Sequence, residues 1–498
     1  MRAAWSSPAA AAAGAASVAG FGDAALFPVP ILALAALAWL WSRTASPRRA
    51  AWLGFAFGAG HFLVGVSWVY VSLHDFGMMP APLAALATLL FCLYLALFPA
   101  AVGALQAWLP APPAARLLLA MPALWALSEW LRGWLFTGFP WLALGYSQVG
   151  GPLDGLFPLV GVYGAGFAAA VIAGALALAA ARERRGLATA AAAVAAVVVA
   201  SQLALRAEWT QPDGAPVSVA LLQGNVPQAL KFVPGRLEAT LRTYETLAER
   251  TQARLIVLPE TAIPRFLHQV DPAYIERLAA IARRNGGDLL VGVPLRDGEG
   301  YYNAVVTLGT SPSQRYAKSH LVPFGEFVPP GFGWIVHVLQ IPMSDFSRGA
   351  AGARPLAIAG QRVAPNVCYE DAFGEEIVRQ LPEATLLVNV SNVAWFGDSL
   401  APAQHLRISR ARSLEAGRYM LRATNTGVTA IVDDRGRVTA RLPNFTEGAL
   451  EGTAQGRTGA TPYVRTGNAG ILALALLALL AAAALGRRIT ASARPAPG

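Results

Sequence analysis

Long apolar stretches occupy both ends of the chain, whereas short alternating patterns occupy its middle. A stretch of about 20 predominantly apolar residues is long enough to cross the hydrocarbon core of a bilayer. The predicted spans lie near residues 8–25, 26–42, 51–73, 80–109, 114–135, 157–181, 187–207 and 467–486. The pattern therefore predicts a membrane domain over residues 1–207, with about seven transmembrane helices, and a final transmembrane helix with a tail over residues 466–498.

Basic residues between the predicted spans indicate their orientation. Arginines cluster in the loops after the even-numbered spans and in the tail, for example at Arg48, Arg184 and Arg488, while the loop "HDFG" after the third span has no Lys or Arg. Loops rich in Lys and Arg stay on the cytoplasmic side. The region between the seventh and eighth spans is therefore predicted to be extracytoplasmic. Because topology accounts for much of the net charge of +10, we do not predict nucleic-acid binding.

Residues 208–465 have the composition of a soluble α/β domain. Short β-rich runs such as "VSVALLQ" (217–223) and "TLLVNVS" (385–391) are separated by stretches of helical periodicity such as 235–253 and 401–418. Strands alternate with helices early in the region and come in pairs later. We expect an α/β domain with two mixed β-sheets covered by helices, large enough for one core.

The two cysteines of the chain exclude a disulfide framework and a cysteine-rich metal site. Cys92 lies inside an apolar stretch, where a thiol acts as one more small apolar side chain. Cys368 follows the predicted strand "RVAPNV" and precedes two acidic residues. No cluster of Cys and His suggests a bound metal, and we expect neither a metal nor a cofactor.

Three reactive side chains follow extended segments of the middle region. "LIVLPE" ends at Glu260, Cys368 follows its own strand, and Lys318 lies in "SQRYAKSHLVPFGEF". Ligands of α/β domains bind beyond the carboxyl ends of strands. Each residue taken singly also fits a structural or solvated role. Together, a carboxylate base, an amine that stabilises an oxyanion and a thiol nucleophile indicate acyl transfer through a thioester.

The motifs "LPET", "KSHLVPFGEFVP" and "NVCYED" resemble the Glu, Lys and Cys motifs of the nitrilase, or carbon–nitrogen hydrolase, superfamily. With the predicted spans, "LLQGNVPQ" and "VSNVAWFGDS", the whole chain resembles the apolipoprotein N-acyltransferase family. The resemblance implies an α/β nitrilase-like sandwich inserted in a multi-span α-helical membrane domain. It gives Glu260 the role of general base, Lys318 that of oxyanion stabiliser and Cys368 that of nucleophile. The positions to which it gives supporting roles are Glu326, Tyr369, Glu370 and Asn303.

The reaction that the resemblance implies has two steps. An acyl chain passes from a membrane phospholipid, phosphatidylethanolamine or a similar one, to the cysteine, and then to the α-amine of diacylglyceryl-cysteine in an apolipoprotein. The protein would be a multi-pass protein of the bacterial inner membrane, with a periplasmic catalytic domain. Two alternatives stay open here: a membrane-tethered amidase or nitrilase that hydrolyses soluble amides, and a non-catalytic binding protein on a nitrilase scaffold.

Aromatic residues near the motifs are candidates for contact with lipid. Phe232 stands where the family commonly has Trp. Trp334 lies in the apolar loop 328–343, which is either a buried flap or a lid that faces lipid. Trp395 and Phe396, in "NVAWFGDS", are candidates for a second lid.

Charged residues on the helix predicted at 401–418 have no evident catalytic pattern. His405 is interpreted as structural or solvated. Arg407, Arg410 and Arg412 are predicted to form a solvated helix face, with contact to lipid phosphate as the alternative.

Overall fold

The computed structural model describes residues 5–180, 184–328 and 345–492. The chain divides into two compact units. The first comprises Met1–Ser67, Ala85–Glu208 and Arg465–Gly498, and the second comprises Trp68–Ala84 and Trp209–Val464. The second unit therefore includes a short segment that contains the loop between the predicted spans 51–73 and 80–109, together with the adjoining ends of both.

Helices form the part of the chain before and after the sheets. Those of at least twelve residues are Ser6–Ser17, Pro28–Ser42, Pro47–Gly65, Ala81–Trp108, Met121–Arg132, Phe157–Ala179, Arg184–Ala204 and Ala469–Ser492. By length and composition, the described helices that could each cross a membrane are Ala24–Ser42, Ala81–Trp108, Asp154–Ala179, Gly186–Ala204 and Ala469–Arg488. The pair Pro47–Gly65 and Val69–Phe76, bent by 55°, would make a sixth span. These apolar helices are typical of a membrane protein.

Two predicted spans, 8–25 and 114–135, correspond to shorter helices. Ser6–Ser17 and Met121–Arg132 have 12 residues each. At 1.5 Å per residue such a helix is about 18 Å long, less than the roughly 30 Å of a hydrocarbon core. Residues 113–120 extend the second of these helices at its start without a break, with 116–120 as a π-helical turn, so the whole helical stretch is longer than its 12-residue part. The count of eight spans stays a prediction.

Short strands make up most of the second unit. Numbered in chain order, they are β1 Thr210–Pro212, β2 Val217–Gln223, β3 Leu255–Val257, β4 Asp288–Asp297, β5 Gly300–Gly309, β6 Arg315–Ala317, β7 Leu356–Ile358, β8 Gln361–Val367, β9 Leu386–Ser391, β10 Tyr419–Thr424, β11 Ala430–Val432, β12 Val438–Arg441, β13 Gly448–Ala454 and β14 Arg457–Gly459. In the described residues they form two six-stranded sheets, in the orders β13-β2-β3-β4-β5-β6 and β12-β11-β10-β9-β8-β7, and a β1-β14 ribbon. Strands β2 to β4 and β8 to β10 run parallel, and the other neighbours run antiparallel.

Alternation along each strand produces three apolar layers. In β2, Val219 and Leu221 belong to the core shared by the two sheets, whereas Ala220 and Leu222 belong to a cluster with helical residues. Successive side chains of a strand point to opposite faces, so one strand supplies both layers. The helix Leu237–Glu249 contributes to this outer cluster.

Further helices cover the outer faces of both sheets. Pro272–Arg284 packs against the first sheet, beside Leu237–Glu249, and Ala401–Ala416 contributes to the outer cluster of the second sheet. The predicted fold class, a sandwich of two mixed sheets covered by helices in a chain with several apolar membrane-type helices, is confirmed. The strand predicted at 217–223 has the predicted bounds.

Candidate active site

Lys318 lies one residue after β6 and is held between two carboxylates. Its Nζ lies 2.8 Å from Glu326 Oε2 and 3.8 Å from Glu260 Oε1, and only 1% of Lys318 is exposed. Burial alone would lower the pKa of Lys318, but the carboxylates of Glu326 and Glu260 more than offset this and raise it. The side chain is therefore a fixed positive charge at neutral pH.

Asn303, in the middle of β5, joins the two carboxylates. Its Nδ2 donates to Glu260 Oε1 and to Glu326 Oε1, each at 2.7 Å. Its main-chain oxygen accepts a hydrogen bond from the Lys318 N–H at 2.8 Å. One side chain thus sets the spacing of both acids around the lysine, and the predicted association of Asn303 with these residues is present in the structure.

Glu260 follows β3 by three residues and connects the two sheets. Its Oε2 accepts a hydrogen bond from the main-chain N–H of Asn392, just after β9, at 2.8 Å. Asn392 is itself held by Gln228, whose Oε1 lies 2.8 Å from Asn392 Nδ2. Because the carboxylate is bound from both sides of the sandwich, its orientation is fixed.

Cys368 directly follows β8 and has a φ of +53°. Positive φ strains a residue with a Cβ, by about 1–3 kcal/mol, and such strain persists only where the surroundings impose it. The Cys368 carbonyl oxygen accepts hydrogen bonds from Asn389 Nδ2 at 3.0 Å and from His405 Nε2 at 3.3 Å. These bonds hold the cysteine in its turn.

The Cys368 thiol is partly exposed, yet its immediate surroundings disfavour a negative charge. Burial of the thiol group is the main cause that raises the pKa of Cys368 to about 12. The negative charge of Glu260 raises it further, whereas the positive charge of Lys318 acts in the opposite direction. The free protein therefore holds a protonated thiol at neutral pH. A thiol in this state needs a base during attack.

A buried polar network lies behind the cysteine. Asp371 Oδ1 accepts from His405 Nε2 at 2.8 Å, and Asp371 Oδ2 accepts from Ser409 Oγ at 2.5 Å. Arg422 Nη1, on β10, donates to Asn389 Oδ1 at 2.6 Å and to Asp371 Oδ2 at 3.3 Å. Asn389 and His405, which bind the Cys368 carbonyl, are thus also hydrogen-bonded to the ion pair of Arg422 and Asp371.

The interpretation of 401–418 as a helix with a solvated basic face is wrong for two of its arginines. Arg407 and Arg412 are buried, and Arg412 Nη2 lies 3.0 Å from Glu415 Oε1. His405 is also buried, so its structural interpretation fits and its solvated one does not. Charge on a helix usually indicates a solvated face, but here Glu415 compensates the buried Arg412, and Asp371 binds His405.

Glu370 joins the cysteine segment to the lysine segment. Its carboxylate accepts from the main-chain N–H groups of Val367 and Ser319, each at 2.7 Å, and of His320 at 3.1 Å. The Tyr316 hydroxyl donates to it at 2.8 Å. Burial raises the pKa of Glu370, against the opposing effects of Lys318 and these N–H groups.

The predicted aromatic residues lie in different surroundings. Tyr369 is buried and packs edge-on against Phe373, with ring centroids 5.0 Å apart. Phe232 is half-buried. Trp334 lies outside the described residues.

Trp395 and Phe396 are half-buried and meet the segment Trp68–Ala84, which belongs to the same unit. The ring of Phe396 lies 4.5 Å from that of Trp68, and the ring of Trp395 lies 6.1 Å from that of Phe76. A lid role for Trp395 and Phe396 stays a prediction.

Lys231 is a residue of the site that the sequence analysis did not single out. It is 3% exposed, and its Nζ donates to the main-chain oxygen of Glu260 at 3.2 Å. Burial lowers the pKa of Lys231 to about 8, although Glu260 and Cys368 act to raise it. The sequence alone could have indicated Lys231, because Lys231 and Lys318 are the only lysines of the chain.

Two family models match the chain. The Apolipoprotein N-acyltransferase N-terminal domain matches residues 13–175, and the Carbon-nitrogen hydrolase family matches residues 217–463. The apolipoprotein N-acyltransferase of Nitrosomonas europaea is 53% identical over 489 residues, which are 96% of this chain and 97% of the relative. That of Chromobacterium violaceum is 49% identical over 95% of this chain and 93% of the relative.

Two solved structures are similar to about half of the chain. A CN-hydrolase superfamily protein from Xanthomonas campestris is 20% identical, with a TM-score of 0.38, over 52% of this chain and 97% of that one. The C. elegans NitFhit protein is 19% identical, with a TM-score of 0.40, over 50% of this chain and 62% of that one.

Proposed function

Because the chain belongs to the apolipoprotein N-acyltransferase family, we propose that Cys368 carries an acyl chain as a thioester from a membrane phospholipid to an apolipoprotein. The chain is an acyltransferase of lipoprotein N-acylation, and the proposal concerns its donor, its intermediate and its residues. The observation that carries it is the Lys318 ammonium, held beside Glu260 and Glu326 and acting electrostatically on Cys368.

The first half-reaction forms the thioester. The Cys368 thiol gives its proton to Glu260 while the sulfur bonds to the ester carbonyl carbon of the donor lipid. The carbonyl oxygen becomes an oxyanion, which the Lys318 ammonium stabilises. When the intermediate collapses, the ester C–O bond breaks, and the proton on Glu260 passes to the leaving oxygen of the lysophospholipid.

The second half-reaction transfers the acyl chain to nitrogen. The neutral α-amine of the diacylglyceryl-cysteine attacks the thioester carbon, and Glu260 accepts a proton from the nitrogen. The C–S bond then breaks, and the proton returns to the Cys368 sulfur. Every group used in the first half-reaction is thereby restored, which gives a ping-pong reaction without a cofactor.

A lipid donor gives the apolar helices a role. Each CH₂ group moved from the bilayer into water costs about 0.8 kcal/mol, so a long acyl chain cannot leave the membrane readily. We propose phosphatidylethanolamine as the donor class. The distribution of arginines in the sequence supports a catalytic unit on the periplasmic side of the inner membrane.

Intact-mass measurement of the purified protein with phosphatidylethanolamine tests the proposal. The expected product is one acyl adduct that disappears when a diacylated lipopeptide is added, together with appearance of the triacylated peptide. Cys368→Ala should abolish the adduct. Cys92→Ala, which changes the buried cysteine of the helix Ala81–Trp108, is the matched control and should keep it.

Two results would contradict the proposal. Absence of an adduct in the unaltered protein would remove the thioester. Loss of the adduct to water at the same rate with and without lipopeptide would indicate hydrolysis of the acyl group in place of its transfer.

A further inference from the structure

The chain has 39 basic residues, of which Lys231 and Lys318 are lysines and all others are arginines. Both lysines are buried, with 3% and 1% of their surfaces exposed. A lysine carries a compact charge whose pKa changes readily on burial, whereas an arginine stays charged and needs more room. A chain that uses arginine at its other basic positions thus has lysine at two buried positions of one site.

The two ammonium groups have different partners. Lys318 has carboxylate oxygens at 2.8 Å and 3.8 Å. Lys231 donates to a main-chain oxygen, that of Glu260, at 3.2 Å. In the described part of the chain, no carboxylate oxygen lies within 4.0 Å of Lys231 Nζ. The charge of Lys231 is therefore not neutralised by a direct ion pair.

Lys231 supplies a positive charge to a site where two carboxylates surround the single ammonium of Lys318. Glu260 and Glu326 bring two negative charges to the site, and Lys318 brings one positive charge, which leaves a net charge of −1. Lys231 adds a second positive charge beside Glu260, whereas Arg422, which also acts on Glu260 and Cys368, is paired with Asp371. An uncompensated charge in a buried site is costly, and an excess negative charge would oppose formation of a thiolate in particular.

The position of Lys231 also suits the proton transfer from Cys368 to Glu260. That transfer moves a negative charge from the carboxylate to the sulfur. Lys231 interacts electrostatically with both groups, so its ammonium attracts the charge before and after the step. Lys318 acts on the same pair but is already bound to Glu326 at 2.8 Å.

We propose that Lys231 is a positioning residue of the acyl transfer, which holds the main chain of Glu260 and supplies the charge that lets the Cys368 thiolate form. This inference rests on the proposed role of Cys368 and adds a second cation to its reaction. An anchor that acts only through the hydrogen bond to Glu260 would need a donor but no charge. The charge and the hydrogen bond can therefore be tested separately.

The experiment uses full-length protein with Cys92→Ala, so that Cys368 is its single thiol. Lys231→Gln keeps an N–H donor and removes the charge, and Lys231→Arg keeps the charge. The first measurement is the rate at which iodoacetamide alkylates Cys368, which depends on the thiolate fraction. The second is the rate of thioester formation with phosphatidylethanolamine.

We expect Lys231→Gln to slow alkylation of Cys368 about tenfold or more, since a nearby opposite charge shifts a pKa by about one to three units. Thioester formation should slow with it, and Lys231→Arg should recover a substantial part of both rates. Alkylation of Lys231→Gln at the rate of its parent would overturn the inference. Alkylation of the parent without a thioester would instead contradict the proposed function, because alkylation needs no lipid.

A measurement on the unsubstituted lysines keeps the inference testable if Lys231→Gln does not fold. Protein grown with ¹³C-labelled lysine has only two sets of lysine side-chain signals, which Lys231→Arg assigns. Alkylation of Cys368 should shift the Lys231 Cε signal, because the Lys231 ammonium interacts electrostatically with Cys368. A Lys231 signal that does not move would overturn the inference.

Discussion

The side chain of Asn389 donates a hydrogen bond of 3.0 Å to the main-chain oxygen of Cys368. Asn389 lies in β9, and its Oδ1 accepts from Arg422 on β10 at 2.6 Å. The turn at Cys368, which has a positive φ, is therefore fixed by the side chain of a neighbouring strand.

Asn389→Ala should slow thioester formation about tenfold, because it removes one of the two bonds that hold the Cys368 carbonyl and leaves Arg422 without its amide partner. A buried polar group left without a partner costs about 1–3 kcal/mol, so the unfolding temperature should also fall. Adduct formation per folded molecule and circular dichroism measure the two effects.

Asn285→Ala is the control for this prediction. Asn285 also donates to two main-chain oxygens, of Thr251 and Ala253, at 3.0 Å and 3.2 Å, but at a helix end away from the cysteine. It should lower the unfolding temperature without changing the rate per folded molecule. Equal loss of rate in both variants would show that Asn389 has only a stabilising role.

Glu326→Gln should reduce acyl transfer strongly, because it removes the carboxylate 2.8 Å from Lys318 and leaves the ammonium to interact more closely with Glu260. Breaking a buried ion pair costs about 3–5 kcal/mol, and thermal unfolding should register it. Glu238→Gln breaks an exposed pair with Arg242 on a helix and should cost at most about 0.5 kcal/mol. Similar unfolding temperatures for the two variants would contradict the buried pairing.

The rate of thioester formation should fall as the pH rises through about 8. Lys231, whose pKa burial lowers to about 8, loses its positive charge in this range, while Lys318, with a raised pKa, stays charged. Cys368, with a pKa of about 12, stays protonated throughout, and Glu260 is the carboxylate that acts electrostatically on Lys231. Lys231→Arg should flatten the profile above pH 8, and an unchanged decline in that variant would assign it to another group.

Trp68→Ala should loosen the turn that contains Phe396. Trp68 loses its ring contact at 4.5 Å and its Nε1 hydrogen bond to Gln404 Oε1 at 3.1 Å. Hydrogen exchange should quicken over residues 393–397. Trp52→Ala, which removes an indole that is 59% exposed, is the control and should leave that exchange unchanged. Unchanged exchange in both variants would show that the turn does not depend on Trp68.

Local pattern predicted much of the fold because apolar alternation determines which face of a strand is buried. The strand at 217–223 was predicted with its observed bounds, and Glu260 and Cys368 follow β3 and β8 as expected. The ends of the α-helices near 8–25 and 114–135 could not be predicted, because composition does not show where a helix bends or ends.

Contacts between distant segments account for what the sequence analysis missed. The resemblance named Asn303 and Glu326, but no spacing rule predicts the hydrogen bonds by which Asn303 joins Glu260 to Glu326, across 43 and 23 residues. The sequence does not show that Arg422 and His405 both bind Asp371, because the three residues come from different segments. Lys231 differs from these residues, because its rarity in the sequence, as one of two lysines, would have been enough to single it out.

The grouping of Trp68–Ala84 with the sheets bears on how relatives of this protein can be recombined. A hybrid joined at the boundary near Glu208 would take Phe396 from one parent and Trp68 from the other. Such chimeras should be active only when residues 68–84 are exchanged together with residues 209–464. The segments that must come from the same parent are therefore not contiguous in the gene.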